Sequence, residues 1–397
     1  MKTENDNKNL NVPNLRFPEF DGEWEKVTLG KTCNVLMCKR ILASQTNAES
    51  GVPFYKIGTI GGVPDAYISK ELFDMYKAKY NYPKKGEVMI TCAGTVGKTM
   101  IFDGNDAYYQ DSNIVWIDNP TNNIDNSFLY HYLSQIDWSK LNTTTIVRIY
   151  NDDLRQLKIS YPSTEEQKKI SHLLNLVNQR IATQIKIIEK LESLIRGIVQ
   201  AHYSQCDCIK QVRFSELGES FTTMNISKED LSDDGNECIL YGELFTTYGC
   251  VINDIKSRTH ISTDKATISQ SNDLLFPAST TVDAMSLIVP SAICKVGVIL
   301  GGDLFGIHVY KNYNNEYLSY LINYIYKSKL ARYAQGSTII HLHYSDIKNV
   351  MLLLPAIEEQ NYLAHLMKGM EEKIEIEKDM LSKFYRQKAY LLSKLFI

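Results

Sequence analysis

The chain has 397 residues, enough for two or three domains, and its content of 44% hydrophobic and 22% charged residues is typical of a globular protein. A net charge of −3 does not by itself indicate a nucleic-acid-binding protein, although basic residues can still be concentrated on one face. No apolar run reaches membrane-spanning length, and the eight cysteines include no C-x-x-C pair or His/Cys ligand spacing, which argues against a structural zinc site. The polar residues 1–14 predict a disordered tail on a cytoplasmic protein.

Residues 15–160 predict a β-rich module that ends with an amphipathic helix. Runs of β-branched and aromatic residues between Gly, Pro and Asn breaks predict strands. These strands are expected at 52–57, 87–91 and 114–117, with the helix beginning at Phe128 and reaching about Leu141.

The segment from Cys92 to Thr99 resembles a phosphate-binding loop because it contains Gly94, Gly97 and Lys98. The Walker pattern requires glycine at the position of Cys92 and a helix after the lysine, whereas Met100-Ile101-Phe102 predicts a short strand. Two other interpretations fit this segment better than nucleotide binding does. One is a surface loop that offers backbone donors and Lys98 to DNA phosphates, and the other is a plain hairpin.

A long helix is predicted over 161–204. Pro162 ends the preceding strand, Ser163 or Thr164 can cap the helix, and Glu165 and Glu166 lie in its first turn, where the helix dipole favours acids. Residues then recur at alternating spacings of three and four, as in a coiled-coil seam. The seam residues are Leu174, Val177, Ile181, Gln184, Ile188, Leu191, Ile195 and Ile198.

The same order of elements occurs a second time. Pro355 to Gln360 repeats Pro162 to Gln167 at an offset of 193 positions, and Ile374 repeats Ile181 at the same offset. The sequence therefore predicts a second module over 205–353 and a second long helix over 354–397. The second seam is formed by Met367, Met370, Ile374, Glu377, Leu381, Phe384, Lys388 and Leu391.

An apolar stripe along a long helix requires a partner surface. The favoured interpretation is that the two helices pair with each other as a coiled coil. The alternative is that each helix packs on its own module.

No signature of a catalytic site is found. The chain lacks G-x-S-x-G, H-E-x-x-H and a convincing G-x-G-x-x-G, and Asp118-Asn119-Pro120-Thr121 is only a poor match to an Asp-Pro-Pro-aromatic methyltransferase motif. We therefore predict no catalytic residues, no metal site and no cofactor bound by this chain.

Candidate DNA contacts are polar, aromatic and basic residues in loops, because such side chains read base edges or bind phosphates. Arg148 and His341 occupy one repeat position, and Tyr150 and His343 another. In the first module the candidates are Lys56, Lys98, Thr99, Tyr108, Tyr109, Asn113, Thr144, Arg148, Tyr150 and Asn151. In the second module they are Lys256, Arg258, Thr280, Thr281, Ser337, His341, His343 and Tyr344. Taken singly, a residue of this kind is more often an ordinary solvated side chain, so the interpretation as DNA contacts depends on the duplication and on the resemblance described next.

These features together resemble a known family, the DNA-specificity subunits of type I restriction–modification systems. The resemblance is carried by Leu15-Arg16-Phe17-Pro18 with Trp24, by Gly94-Thr95-Val96-Gly97-Lys98, and by the two Pro-x-x-x-Glu-Gln helix starts. It covers nearly the whole chain after about Val12. It departs in the second module, where the nearest counterpart of the glycine–lysine loop is Ala278-Ser279-Thr280-Thr281.

The resemblance implies an α+β fold with two β-rich target-recognition domains, each followed by a long helix. The two helices would pair as an antiparallel coiled coil about an internal pseudo-two-fold. Each domain would read one half of a bipartite site in double-stranded DNA, and the helix pair would set the distance between the halves.

The same resemblance implies that the chain is not itself an enzyme. Two modification subunits would bring S-adenosylmethionine and methylate a flipped adenine, and restriction subunits would use ATP and Mg to move along DNA and cleave it. Glu165, Gln167, Glu358 and Gln360 are the expected partner contacts on the outer faces of the helices. The alternatives are a specificity subunit of another restriction class and a coiled-coil scaffold with two peptide-binding modules.

Overall fold

The computed structural model describes residues 11–141, 148–205 and 210–397. The chain divides into two compact units. Unit 1 comprises Met1–Gln184 with Met380–Ile397, and unit 2 comprises Ile185–Asp379. The boundary passes through both long helices, so each unit contains part of each helix.

Unit 1 is built on two small sheets and a two-stranded ribbon. The four-stranded antiparallel sheet has the order Asn34–Met37, Ile114–Asp118, Val88–Thr91 and Thr99–Ile101. The three-stranded sheet has the order Tyr67–Ile68, Val52–Tyr55 and Tyr108–Tyr109. The ribbon pairs Glu25–Thr28 antiparallel with Lys158–Tyr161. The strands predicted in this half of the chain are thus confirmed.

The helices of unit 1 outside the long pair are short. They are Leu29–Thr32, Lys70–Lys79, Asn126–Ser134 and Asn151–Gln156, with 3-10 turns at Ala43–Gln45 and Trp138–Leu141. Asp125 caps the third of these, since its Oδ1 accepts from the Phe128 N–H at 2.9 Å. The predicted amphipathic helix is therefore present but ends at Ser134, earlier than expected.

Unit 2 contains two five-stranded sheets and two ribbons. One sheet has the order Gly218–Thr222, Leu304–Val309, Asp273–Pro277, Ser291–Ile293 and Val251–Ile252. The other has the order Leu231–Ser232, Ser257–Thr259, Asn236–Leu240, Ile299–Gly301 and Thr267–Ile268. The ribbons pair Lys210–Arg213 with Met351–Leu354 and Ser279–Thr280 with Ile340–His341. The first ribbon repeats the ribbon of unit 1.

The remaining helices of unit 2 are also short. They are Glu243–Thr246, Ala284–Leu287, Asn315–Leu321, Lys327–Ala331 and Tyr344–Ile347, with a π-helical turn at Ile322–Tyr326 and 3-10 turns at Phe214–Glu216, Lys228–Asp230 and Thr263–Lys265. Both units thus combine sheets with separate helices, which confirms the predicted α+β class.

The two long helices run from Thr164 to Gln205 and from Ile357 to Leu395. Every residue of both predicted seams is buried or half-buried. In unit 1, the Arg180 guanidinium lies 5.9 Å from the Phe384 ring, and Leu174 shares a core cluster with Leu395. Early residues of the first helix therefore pack against late residues of the second, as in an antiparallel pair.

In unit 2, the late part of the first helix meets the early part of the second. His202 Nε2 lies 3.4 Å from Glu359 Oε2. Ile195 and Val199 of the first helix and Leu363 and Met367 of the second are buried in this unit. The favoured interpretation, in which the two helices pair with each other, is confirmed within each unit.

A buried glutamine joins each long helix to its module. Gln167 donates from Nε2 to the Pro162 carbonyl at 2.9 Å, and its Oε1 accepts from the Asp125 N–H at 2.6 Å. Asp125 is the residue that caps the last large helix of the module. The side chain of Gln167 therefore connects the proline before the long helix to the cap of the module helix.

The second half repeats these two hydrogen bonds. Gln360 donates from Nε2 to the Pro355 carbonyl at 2.9 Å, and its Oε1 accepts from the Asn314 N–H at 3.0 Å. Asn314 caps Asn315–Leu321 through the Tyr317 N–H at 2.8 Å. We refer to the two arrangements as the glutamine locks.

The expectation that Gln167 and Gln360 are partner contacts on outer helix faces is therefore wrong. Their exposed fractions are 0% and 1%. The physical reason is that the amide of each one satisfies buried backbone groups on two different segments, which a solvated side chain cannot do.

Replacing Gln360 by leucine should lower stability, because the Pro355 carbonyl and the Asn314 N–H would lose their partner. A buried group left without a hydrogen bond costs about 1–3 kcal/mol. We expect a fall in the thermal midpoint measured by calorimetry. Glu358→Leu places the same side chain at an exposed position two residues earlier and serves as the control. Equal midpoints for the two variants would contradict the lock.

Glu371 of the second long helix should make the stability of the protein pH-dependent. Burial raises the pKa of Glu371 to about 7, and the neighbouring Tyr320 opposes part of the rise. A raised folded-state pKa adds stability that is complete below about pH 4.5 and is lost as the pH rises through about 7. Glu371→Gln should therefore raise the urea midpoint relative to wild type at pH 8 more than at pH 5. The exposed Glu372→Gln should show no such pH-dependent difference, and the prediction fails if both variants behave alike.

Candidate nucleic-acid interface

The loop that follows the strand Val88–Thr91 in unit 1 is organised by one buried threonine. Thr91 is fully buried, and its Oγ1 donates to the Thr95 carbonyl and accepts from the Lys98 N–H at 3.0 Å. The Thr91 carbonyl accepts from the Gly97 N–H at 2.8 Å. The segment 92–98 is therefore a structured loop rather than a free one.

Gly97 allows this loop to lie directly on Trp138. Its φ is +81°, and a Cβ added there would lie 2.0 Å from Cδ1 of the indole ring. Only glycine satisfies both conditions. Trp138 was missed by sequence reasoning, although a chain with three tryptophans offers each of them as a signal.

The nucleotide-loop interpretation is excluded because the strand Thr99–Ile101, and not a helix, follows Lys98. The Lys98 side chain is exposed, and its ammonium donates to the Ile60 carbonyl at 2.6 Å. This contact orients the lysine without neutralising its charge.

A second segment lies beside the loop in unit 1. The Ile149 N–H donates to the Cys92 carbonyl at 2.9 Å, and Ile149 is buried. Its neighbour Tyr150 is 59% exposed, and the Arg148 guanidinium lies 5.7 Å from the tyrosine ring. The buried Ile149 thus lies between two side chains that reach the surface, a half-buried arginine and an exposed tyrosine.

Unit 2 repeats this framework. The Leu342 N–H donates to the Ala278 carbonyl at 2.9 Å, and Leu342 is buried. The rings of His341 and His343 are exposed and stacked, with centroids 6.1 Å apart. The hydrogen bond shows that Ala278 stands where Cys92 stands in unit 1, so Ala278–Thr281 is the structural counterpart of the glycine–lysine loop.

The same turn follows both segments. The Tyr150 N–H donates to Asp153 Oδ2 at 2.7 Å, and the His343 N–H donates to Asp346 Oδ2 at 2.8 Å. Each aspartate lies in the first turn of a short helix. The two halves therefore hold different side chains on the same backbone arrangement. These are Arg148 and Tyr150 in unit 1, and His341 and His343 in unit 2.

The other candidate residues occupy a range of environments. Lys56 pairs with Asp65 at 3.1 Å and Lys256 with Asp254 at 2.5 Å, so both are partly neutralised. Arg258 is exposed and donates to the Gly235 carbonyl. Thr281 and Ser337 are exposed, whereas Thr99, Asn113, Asn151, Thr280 and Tyr344 are half-buried.

The expectation that Tyr108 and Tyr109 contact DNA is wrong. Their exposed fractions are 0% and 3%, and both rings belong to a core cluster of unit 1. They pair with Phe54 and Tyr55 as a parallel strand, and both faces of this strand are covered by other residues of the module. Thr144, another candidate, lies outside the described residues.

No candidate metal site is found in the described ranges. They contain no group of three or more His, Cys, Asp or Glu residues that could hold a metal ion. Burial raises the pKa of Cys92 to about 12, so the one thiol in the candidate loop stays protonated near neutral pH.

No helix among the described residues has the length and apolarity needed to cross a membrane.

Two of the four expected partner contacts are accessible. Glu165 and Glu358 are exposed in the first turns of the long helices. Beside the first of these turns lies an open cavity of about 360 Å³ lined in part by Glu23, Glu25 and Tyr161.

The fold and the repeated arrangement in its two units agree with a family match. The model of the type I restriction modification DNA specificity domain matches twice, over residues 21–193 and 209–383. The two matches together cover most of the chain, which therefore belongs to this family of DNA-specificity proteins.

Two curated relatives are similar to this chain to different extents. The type I restriction enzyme specificity subunit S.HindORF215P of Haemophilus influenzae is 47% identical over 174 residues, which are 44% of this chain and 42% of that protein. This match thus spans less than half the length of that relative. The MjaX specificity subunit of Methanocaldococcus jannaschii is 22% identical and is covered over 96% of its length, with 98% of this chain.

Two solved structures share the fold. The S subunit of a type I restriction–modification system from M. genitalium superposes with a TM-score of 0.61 at 15% identity, covering 97% of this chain and 99% of that one. A chain from a study of complex assembly in a type I system superposes with a TM-score of 0.56 at 16% identity, covering 95% and 98%.

Gly97→Ala should disturb the loop more than a matched change elsewhere. An alanine in the left-handed region costs about 1–2 kcal/mol, and crowding against Trp138 adds about 1–3 kcal/mol. Gly86 has a φ of +91° with nothing within 4 Å of its added Cβ, so Gly86→Ala isolates the backbone cost. We expect the urea midpoint to fall further for Gly97→Ala, and equal shifts would show that the Trp138 contact contributes nothing.

Proposed function

We propose that this chain is the DNA sequence-specificity subunit of a type I restriction–modification complex and has no catalytic role of its own. Each module would read one half of a bipartite target in double-stranded DNA. The observation that supports this most directly is the pair of equivalent faces in the two units, built on one backbone arrangement and carrying different side chains. Two readers of two different half-sites require this combination.

The side chains on these faces suit the two tasks of a DNA-reading surface. Exposed Tyr150, His341 and His343 can contact base edges, and Lys98 can contact a phosphate. Segments of fixed geometry are needed for base reading, because a contact that moves does not discriminate between bases. The Thr91 network and the two aspartate caps provide this rigidity.

The chemistry would come from partner subunits. Two modification subunits would supply S-adenosylmethionine and methylate adenine, and restriction subunits with ATP and Mg would translocate and cleave unmodified DNA. Glu165 and Glu358, exposed at the starts of the two long helices, are the residues we assign to partner contact. With cellular DNA as the target, the site of action would be the cytoplasm.

The test is to express the chain together with its modification subunit in a host without its own adenine methylation and to sequence the methylome. We expect a bipartite methyl-adenine motif that is absent when the chain is omitted. If the complex assembles and no motif appears, the proposal fails and a scaffold with two protein-binding modules becomes the better interpretation.

Matched variants sharpen this experiment. Tyr150→Ala and His343→Ala alter equivalent positions in the two units, and a base contact is worth about 1–3 kcal/mol of discrimination. We expect Tyr150→Ala to relax one half of the motif and His343→Ala the other half. A loss of both halves from one substitution would contradict the assignment of one half-site to each module.

A further inference from the structure

Two exposed lysines of unit 1 converge on one tyrosine ring. Lys39 follows the strand Asn34–Met37 by two residues, and Lys79 is the last residue of the helix Lys70–Lys79. Each ammonium nitrogen lies 5.6 Å from the centroid of Tyr80, which is itself half-buried. Two positive charges are therefore held near one ring by segments far apart in sequence.

The same helix carries a second pair of lysines that provides an internal comparison. Lys70 and Lys77 lie 4.8 and 5.0 Å from the Phe73 ring. The two oxygens of Asp106 accept one hydrogen bond from each lysine, both at 2.9 Å. Here the chain supplies its own anion between two lysines that share a ring.

Lys39 and Lys79 have no such counterion. Within the described residues, neither ammonium group lies within 4.0 Å of a carboxylate oxygen, and the nearby Asp111 is paired with Arg40. The partial negative charge at the helix C-terminus favours Lys79 but does not explain Lys39, which lies on another segment. The pair thus presents uncompensated charge to solvent.

The position of this pair connects it to the candidate DNA-reading loop. The Lys39 carbonyl accepts from the buried Tyr108 hydroxyl at 3.0 Å. The next residue, Arg40, binds Asp111 at 3.0 Å, and the Asn113 carbonyl accepts from the Cys92 N–H at 2.7 Å. A short chain of contacts therefore leads from the lysines to the start of the loop that carries Lys98.

We propose that Lys39, Lys79 and Tyr80 form a phosphate-contacting surface that holds the DNA backbone beside the half-site read by the first module. This inference rests on the proposed function and adds a backbone site to it. Phosphate contacts set the position of a protein on DNA without reading its sequence. The Tyr80 ring fixes the lysines, and its hydroxyl can donate to a phosphate oxygen.

The test uses the complex of the full chain with its modification subunit. Two labelled duplexes are compared, one containing the motif that the methylome experiment identifies and one in which that motif is scrambled. Affinity is measured between about 50 and 200 mM salt. In Lys39→Gln/Lys79→Gln we expect both duplexes to bind more weakly by the same factor. The slope of log K against log salt should become shallower by about 0.9 for each phosphate that the variant no longer neutralises.

The matched control is Lys70→Gln/Lys77→Gln, which removes the same number of positive charges from the same module, at the helix that also carries Lys79. Because the carboxylates of Asp106 and Asp74 already neutralise those two lysines, the salt slope of this control should equal that of wild type. Tyr80→Phe should keep the ring and show a smaller reduction in affinity than the double lysine variant.

The possible failures are distinguishable. If the wild-type complex binds the two duplexes equally, the proposed function itself is refuted. If the wild type is specific but both double variants have the same salt slope, only the phosphate surface is refuted. If Lys39→Gln/Lys79→Gln dissociates the complex on a sizing column, the lysines contact the partner protein and the inference is likewise overturned.

Discussion

The structure depends on one buried polar side chain in each half. In each half, a glutamine in the first turn of a long helix is buried and bonds to the proline carbonyl before the helix and to the cap of a module helix. A buried amide has few alternative partners, so its orientation fixes the orientation of both segments. A long helix that continues from a β-rich module would otherwise be free to pivot at the proline.

A fixed orientation of each long helix relative to its module matters for the proposed function, because a protein that recognises a DNA sequence must hold its contacts in register with the bases. The ribbon of Glu25–Thr28 with Lys158–Tyr161 and its repeat in unit 2 add a second connection at the same end of each module. In unit 1, Arg16 binds the buried Glu166 with two nitrogens and also donates to the carbonyls of Asp21 and Gly22. The first residues of the first module are thereby tied to the start of the first long helix.

The two halves differ where the framework permits it. Equivalent backbone positions carry Arg148 and His341, and Tyr150 and His343, while the glycine–lysine loop of unit 1 has Ala278–Thr281 as its counterpart. The ribbons differ as well, since Glu25 pairs with Tyr161 in unit 1 and Lys210 pairs with Leu354 in unit 2. The repeat has thus preserved the hydrogen bonds of the scaffold while the exposed surface has changed in charge and shape.

The sequence by itself determined the repeat, the two long helices and their seams, and several strands of unit 1, because these signals are periodic or local. It could not tell that Gln167 and Gln360 point inward while Glu165 and Glu358 point outward, since a helix start favours polar residues on either face. It also could not show that Tyr108 and Tyr109 belong to the core, because an aromatic pair in a polar run fits a buried strand as well as a binding loop. The approach of Lys39 to the Tyr80 ring and the packing of Gly97 on Trp138 were decided by tertiary structure alone, because each joins residues about forty positions apart whose proximity no local pattern encodes.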